Sequence, residues 1–255
     1  MSRILAISRY TFLEARRTRL LPLFAAALCA VFALAFCVSE LAVTESLRMQ
    51  TTFYAAAARL AAVFIVALFV LGSITREFDD KGIDVLLALD LPRSHYILGK
   101  LGGFLAIGAV AGALACAPLA WMAPPAAAAQ WGVALVLELS VIIAFALFCV
   151  VTFGQFMPSA AAVLAFYVLA RSLTAIRLMS AHPISGADTL SHEAGRWMVE
   201  GLALITPALD RWPQTAWLID APAQWSALSL LALEAMLYVV LLASAAMVDF
   251  HRRNF

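Results

Sequence analysis

Residues 20–38, LLPLFAAALCAVFALAFCV, contain no charge, and several later runs repeat the pattern. About 20 apolar residues, at about 1.5 Å each in a helix, cross the ~30 Å hydrocarbon core of a bilayer. In that core the backbone must satisfy its own hydrogen bonds, so such a run is expected to be helical. Further runs at 53–74, 97–121, 131–153, 160–176 and 225–248 bring the expected spans to six. Composition agrees: 64% of residues are hydrophobic and 13% charged, against roughly 45–50% and about 25% in a soluble domain. The sequence therefore predicts an all-α integral membrane protein with one transmembrane domain over 1–255.

The first run has the length of a full span and no small-x-small cleavage site before Glu40. Phe36 is too bulky for a lipoprotein box ahead of Cys37. These features predict a retained span rather than a cleaved leader. Cys29, Cys37, Cys116 and Cys149 all lie in apolar runs without a CxxC pair, which predicts small lipid- or helix-facing residues.

Residues 1–19 carry Arg3, Arg9, Arg16, Arg17 and Arg19. On a helical wheel Ile4, Leu5, Ile7, Phe12 and Ala15 share a side away from Arg9, Arg16 and Arg17, which predicts an amphipathic helix at an anionic membrane surface. Six spans place both termini on one side. The N-terminus, the 75–100 loop and the C-terminus carry five, four and two basic residues, whereas 39–52 holds only Arg48 and 122–130 none. The positive-inside rule makes the first set cytoplasmic. Residues 178–224, rich in proline and tryptophan, are then an outer segment of short interfacial helices.

Residues 75–100, TREFDDKGIDVLLALDLPRSHYILGK, gather charge between two apolar runs and must lie in water at a membrane face. Within them 79–89 reads as a short helix, with Ile83, Leu86 and Leu87 at helical spacing. Pro92 ends it, and Ser94 is the expected N-cap of the next span. A surface helix joined to two spans can dock in a partner and transmit a tilt.

The pattern Glu77-x-x-x-Lys81-Gly82-x-x-x-x-Leu87, followed by Leu91-Pro92-Arg93-Ser94-x-Tyr96-x-x-Gly99-Lys100, resembles the intracellular loop of ABC transporter permeases of the type-2 exporter superfamily. In that family an acidic residue precedes a G-T/I-x-x-L-L helix, and a P-x-S/T-R-x-x-x-x-G-K step follows. Ile83 takes the Thr/Ile position here, and Arg93-Ser94 reverses the usual order. The six spans, the basic N-terminal helix and the long outer segment fit the same resemblance, more with the copper-enzyme-maturation and gliding-type branch than with the polysaccharide branch.

The resemblance implies that Glu77, Asp79, Lys81, Gly82, Ile83, Leu86, Leu87, Leu91 and Pro92 form a coupling helix docking on a nucleotide-binding ATPase subunit. It implies a bacterial inner-membrane exporter built from two permeases, a homodimer or a pair of homologues, with two ATPases. ATP and Mg would be bound by the ATPase, since this chain lacks GxxxxGK[ST] and needs no cofactor of its own. Membrane lipids and a partner on the outer face complete the expected contacts, with no nucleic acid.

Arg59, Glu138, Arg171 and Glu234 interrupt four spans. Counting at about 1.5 Å per residue puts all four roughly 9–13 Å below the outer boundary. A lone charge at the bilayer centre costs at least about 2.5–3.5 kcal/mol, so the four are expected to pair inside the protein as a network locking the outer gate, with snorkelling to the outer interface (Arg59 above all) and direct substrate contact as open alternatives. Gly99/Gly103 and Gly108/Gly112 lie four apart, each pair on one face of the third span, where close helix contact is expected.

No GxSxG, HExxH or paired Cys/His ligand set occurs, so neither a catalytic nor a metal site is expected. His182 and His192 lie in the outer segment with Asp188 and Glu193 nearby, where surface interfacial residues are the expected reading and a metal or acid/base site the alternative. Two further readings stay open at this point: an ATPase-driven mechanotransmitter without cargo, and an intramembrane enzyme acting on a lipid-borne substrate.

Overall fold

The computed structural model describes residues 3–41, 45–80, 92–181, 197–203, 206–220, 222 and 224–252. Every regular element among them is helical: α1 (Arg3–Arg17), α2 (Leu20–Leu41), α3 (Ser46–Asp79), α4 (Arg93–Cys116), α5 (Leu119–Met122), α6 (Pro125–Phe153), α7 (Phe156–Ala181), a 3-10 turn (Leu209–Arg211), α8 (Ala216–Ile219) and α9 (Trp225–Arg252). Residues 197–203 are also helical. Six helical stretches are long and apolar enough to span a membrane, with α4 and α5 counting as one. The chain has the architecture of a multi-pass membrane protein.

The helices overrun the apolar stretches that predict them. α3 has 34 residues, beginning before the expected 53 and continuing past 74 to Asp79. α7 and α9 likewise extend beyond 176 and 248. Hydropathy marks what must lie in lipid, whereas intrahelical hydrogen bonding continues until a residue stops it. Pro118 interrupts the third span between α4 and α5. The carbonyl of Ala115 at the end of α4 accepts a hydrogen bond from Tyr54 Oη at 3.1 Å. Gly154 caps α6 with φ 69°, a left-handed conformation that glycine adopts without strain, and lets α7 start almost at once.

α6 is the central helix: 67% of its most apolar stretch is buried within the chain, against 17% for α2 and 22% for α9. It packs against α3, α4, α7 and α9. α2 and α9 consequently present long apolar faces outward. Cys29 and Cys37 are exposed on α2, Cys149 is buried in α6, and all four cysteines are free.

α1 departs from a helix lying on a surface alone. Its Ile7–Thr11–Ala15 face packs onto α4. Leu5, expected on that packed side, is 53% exposed and shares the outward face with Arg9, Leu13 and Arg16. The reason is steric. A Cβ on Gly103 would lie 2.6 Å from Thr11 Cβ, and one on Gly99 would lie 2.7 Å from Ile7 Cβ. The Gly99/Gly103 pair is thus filled by α1. The Gly108/Gly112 pair meets α6, where a Cβ on Gly112 would lie 2.5 Å from Val136 Cγ2.

Candidate functional site

Two charged assemblies sit within the bundle, one near each end. The first joins α1, the end of α3 and the start of α4. Lys100 is 1% exposed. Its Nζ forms a close ion pair with Glu77 and stands 3.5 Å from Glu14 Oε2. Tyr96 Oη donates to the same Glu77 carboxylate, and Ser73 Oγ donates to Glu14 Oε1 at 2.8 Å. The Tyr96 ring stacks on Phe250 of α9, with centroids 5.7 Å apart. The Lys100 ammonium lies 5.7 Å from the Phe104 centroid, within cation–π range. A buried ammonium is tolerable only when paired and hydrogen-bonded, and here two carboxylates surround it.

Helix geometry makes this joint. Glu77 lies one turn beyond Ser73, and Lys100 one turn beyond Tyr96, so each pair shares a face. Glu14 is the only acid in 1–19 and falls with Ile7 and Thr11, opposite Arg9 and Arg16. Sequence reading missed Glu14 and Ser73. The lone acid on the arginine-free side of α1 was the available signal.

The expected docking residues divide. Glu77 belongs to α3 and is engaged inside the chain, whereas Asp79 and Pro92 are exposed. Asp79, the expected first residue of the 79–89 helix, is the last residue of α3; 81–89 lie outside the described residues. Lys81, Gly82, Ile83, Leu86, Leu87 and Leu91 lie outside the described residues. Pro92, not Ser94, occupies the N-cap position of α4. Its carbonyl accepts from the amides of His95 at 2.9 Å and Tyr96 at 3.4 Å.

The second assembly gathers Arg59 of α3, Glu138 of α6, and Tyr167 and Arg171 of α7. Glu138 is 0% exposed. Arg171 Nη1 lies 3.8 Å from Glu138 Oε1, too long for a hydrogen bond. The charged groups acting on Arg59 are Glu138 and Arg171. Both guanidiniums turn to main chain instead: Arg171 Nη1 donates to Leu209 O at 2.6 Å, and Arg59 Nη1 donates to Pro213 O at 3.0 Å. Neither Glu138 oxygen, nor Arg59 Nε, Tyr167 Oη or Trp212 Nε1, has a partner at normal hydrogen-bond distance, although the Tyr167 hydroxyl interacts with both Arg59 and Glu138.

Glu234 is not part of this centre. It lies partly buried on α9, and the charge acting on it is Arg211 of the 3-10 turn. Equal depth along four spans does not place four side chains together, because depth leaves the rotation of each helix free. The segment 206–219 also departs from an interfacial position. Leu209 and Trp212 are both 0% exposed. Trp197 and Trp225, at 68% and 62% exposed, do face outward as interfacial tryptophans should.

Comparison of the chain with protein-family models and with curated proteins finds no match to either. Among the described residues no cluster of three metal-ligating side chains occurs. His182, Asp188, His192 and Glu193 lie outside those residues. The described residues offer a rigid ionic joint at one end, and at the other a buried cationic centre closed by a folded-in segment.

Proposed function

We propose that this chain is the membrane-spanning permease subunit of an ATP-driven exporter. A separate nucleotide-binding subunit, holding ATP and Mg, docks on residues 81–91 and the exposed ends flanking them. The subunit works in the inner membrane with both termini cytoplasmic, paired with a second copy or a homologue.

The observation that supports this most is the Lys100 joint. The arms of the 81–91 connection are the end of α3 and the start of α4, and a buried ion cluster ties both to α1. A push on that connection therefore moves three helices as one body. α3 carries the movement along its 34 residues, past Arg59, to the far end of the bundle. A coupling element must transmit a tilt without melting, and paired charges in a low-dielectric interior resist local separation.

The test is co-purification with the ATPase encoded nearest to this gene, followed by ATP-dependent flux in vesicles. Leu86→Asp and Leu87→Asp should each abolish capture of the ATPase while leaving membrane insertion unchanged. Undiminished capture by both variants would remove 81–91 as the docking surface.

A further inference from the structure

We infer that the Arg59–Arg171 centre is a binding site for an anionic group, carboxylate or phosphate, with the main chain of 209–213 holding its place in this conformation. The inference names a substrate class for the proposed transporter and rests on that reading for its purpose.

The argument begins with charge. Among the described residues, two guanidiniums and one carboxylate leave a net positive charge at a buried position, and Glu138 is the only acid of these acting on Arg59. Uncompensated charge in a membrane interior is costly and marks a functional position. Hydrogen bonding gives the second line. The carbonyl oxygens of Leu209 and Pro213 accept from Arg171 and Arg59, standing where the oxygens of an anion would bind. They are neutral acceptors, and a guanidinium bonds an anionic oxygen more strongly. The third line is the unspent donors. Trp212 Nε1 is buried without a partner, and Arg59 Nε and Tyr167 Oη have none at normal hydrogen-bond distance, on residues 0%, 8% and 4% exposed. Buried donors left unpaired are costly and need explanation.

Glu138 then has a definite role. Its carboxylate neutralises part of the arginine charge without hydrogen-bonding to either arginine. It competes with an incoming anion for the same cations. Withdrawal of the 209–213 turn frees both guanidiniums at once, because one turn supplies both carbonyls. Arg171, whose side chain is 26% exposed, is the accessible edge of the site.

The test titrates the purified full chain with three probes while Trp emission is followed. The probes are inorganic phosphate, oleate in detergent, and phosphatidylglycerol in phosphatidylcholine nanodiscs. Oleyl alcohol is the uncharged control. A saturable change is expected with at least one anion and none with the alcohol, and Trp212→Phe should remove most of it. Response to phosphate alone marks a small-anion site, and response confined to oleate or phosphatidylglycerol marks a lipid-like anion.

Arg171→Gln should weaken binding at least tenfold, and Glu138→Gln should strengthen it severalfold by removing the internal competitor. If Arg171→Gln does not fold, Arg171→Lys should still weaken binding, because it keeps the charge but loses the planar fork. No saturable response to any anion would overturn the inference, as would unchanged or weaker binding in Glu138→Gln. A purely structural ion pair predicts that last result. These measurements use no ATPase, so failure here leaves the docking proposal standing, and failure of docking leaves this site measurable.

Discussion

The Lys100 joint and the Arg59 centre are built from the same kinds of group with opposite bookkeeping. In the joint two carboxylates enclose one ammonium, and Tyr96 and Ser73 add a hydrogen bond to each carboxylate. In the centre two guanidiniums flank one carboxylate that has no partner at normal hydrogen-bond distance, and the arginines are held by carbonyls of a loop. A joint whose groups are all engaged within its own helices resists change. A centre whose cations are engaged by a displaceable segment has a second state within reach. On the proposed transport reading, rigidity falls at the end that would receive force and adaptability at the end that would open.

The largest effect is expected at the joint. Lys100→Met leaves Glu14 and Glu77 facing each other without a cation, and breaking a buried pair in this way costs about 3–5 kcal/mol. A large fall in the melting temperature of the detergent-solubilised chain should report it. A fall no greater than that of an exposed-charge variant would break the comparison.

Gly103→Val should come next. Its Cβ has no room beside Thr11 and the Ser8 carbonyl, and overpacking of this kind costs about 1–3 kcal/mol. Because α1 is what must move, trypsin should cut at Arg9 and Arg16 faster than in the wild type. Unchanged cleavage would mean that α1 docking does not depend on the glycine pair.

Arg59→Met should have a smaller effect on stability than Lys100→Met, about 1.5–3 kcal/mol for the loss of one hydrogen bond from a charged group. It should instead release the 209–213 turn and shift Trp emission to longer wavelength, as Trp212 meets water. A stability loss as large as that of Lys100→Met, with unshifted emission, would show the centre to be as rigid as the joint.

Particular residues show how far the sequence could be read. The six spans were legible because about 20 apolar residues in a row leave lipid as the only solvent that suits them. Arg59, Glu138 and Arg171 were recognisable as a group because a charge in lipid must find a partner, whereas Glu234 was misplaced with them because its helix rotation is not written in its depth. Gly99, Gly103, Gly108 and Gly112 announced close contacts, but spacing within one helix cannot name the helix that fills it. Lys100 was read within a loop motif and Glu14 lay within an amphipathic surface helix, and their meeting spans 86 residues of sequence.

What the sequence determined by itself is the solvent: a helical chain with six stretches long and apolar enough to cross lipid, and its charge concentrated outside them. That follows from local physics, since hydropathy and backbone hydrogen bonding act along consecutive residues. Tertiary structure alone decided which charges meet. α1 turned its one acid inward onto Lys100, and the 209–213 turn folded back to cap two buried arginines. Both outcomes depend on the rotation and approach of helices distant in sequence, which are set by side-chain volume at the contact and not by any periodicity along the chain.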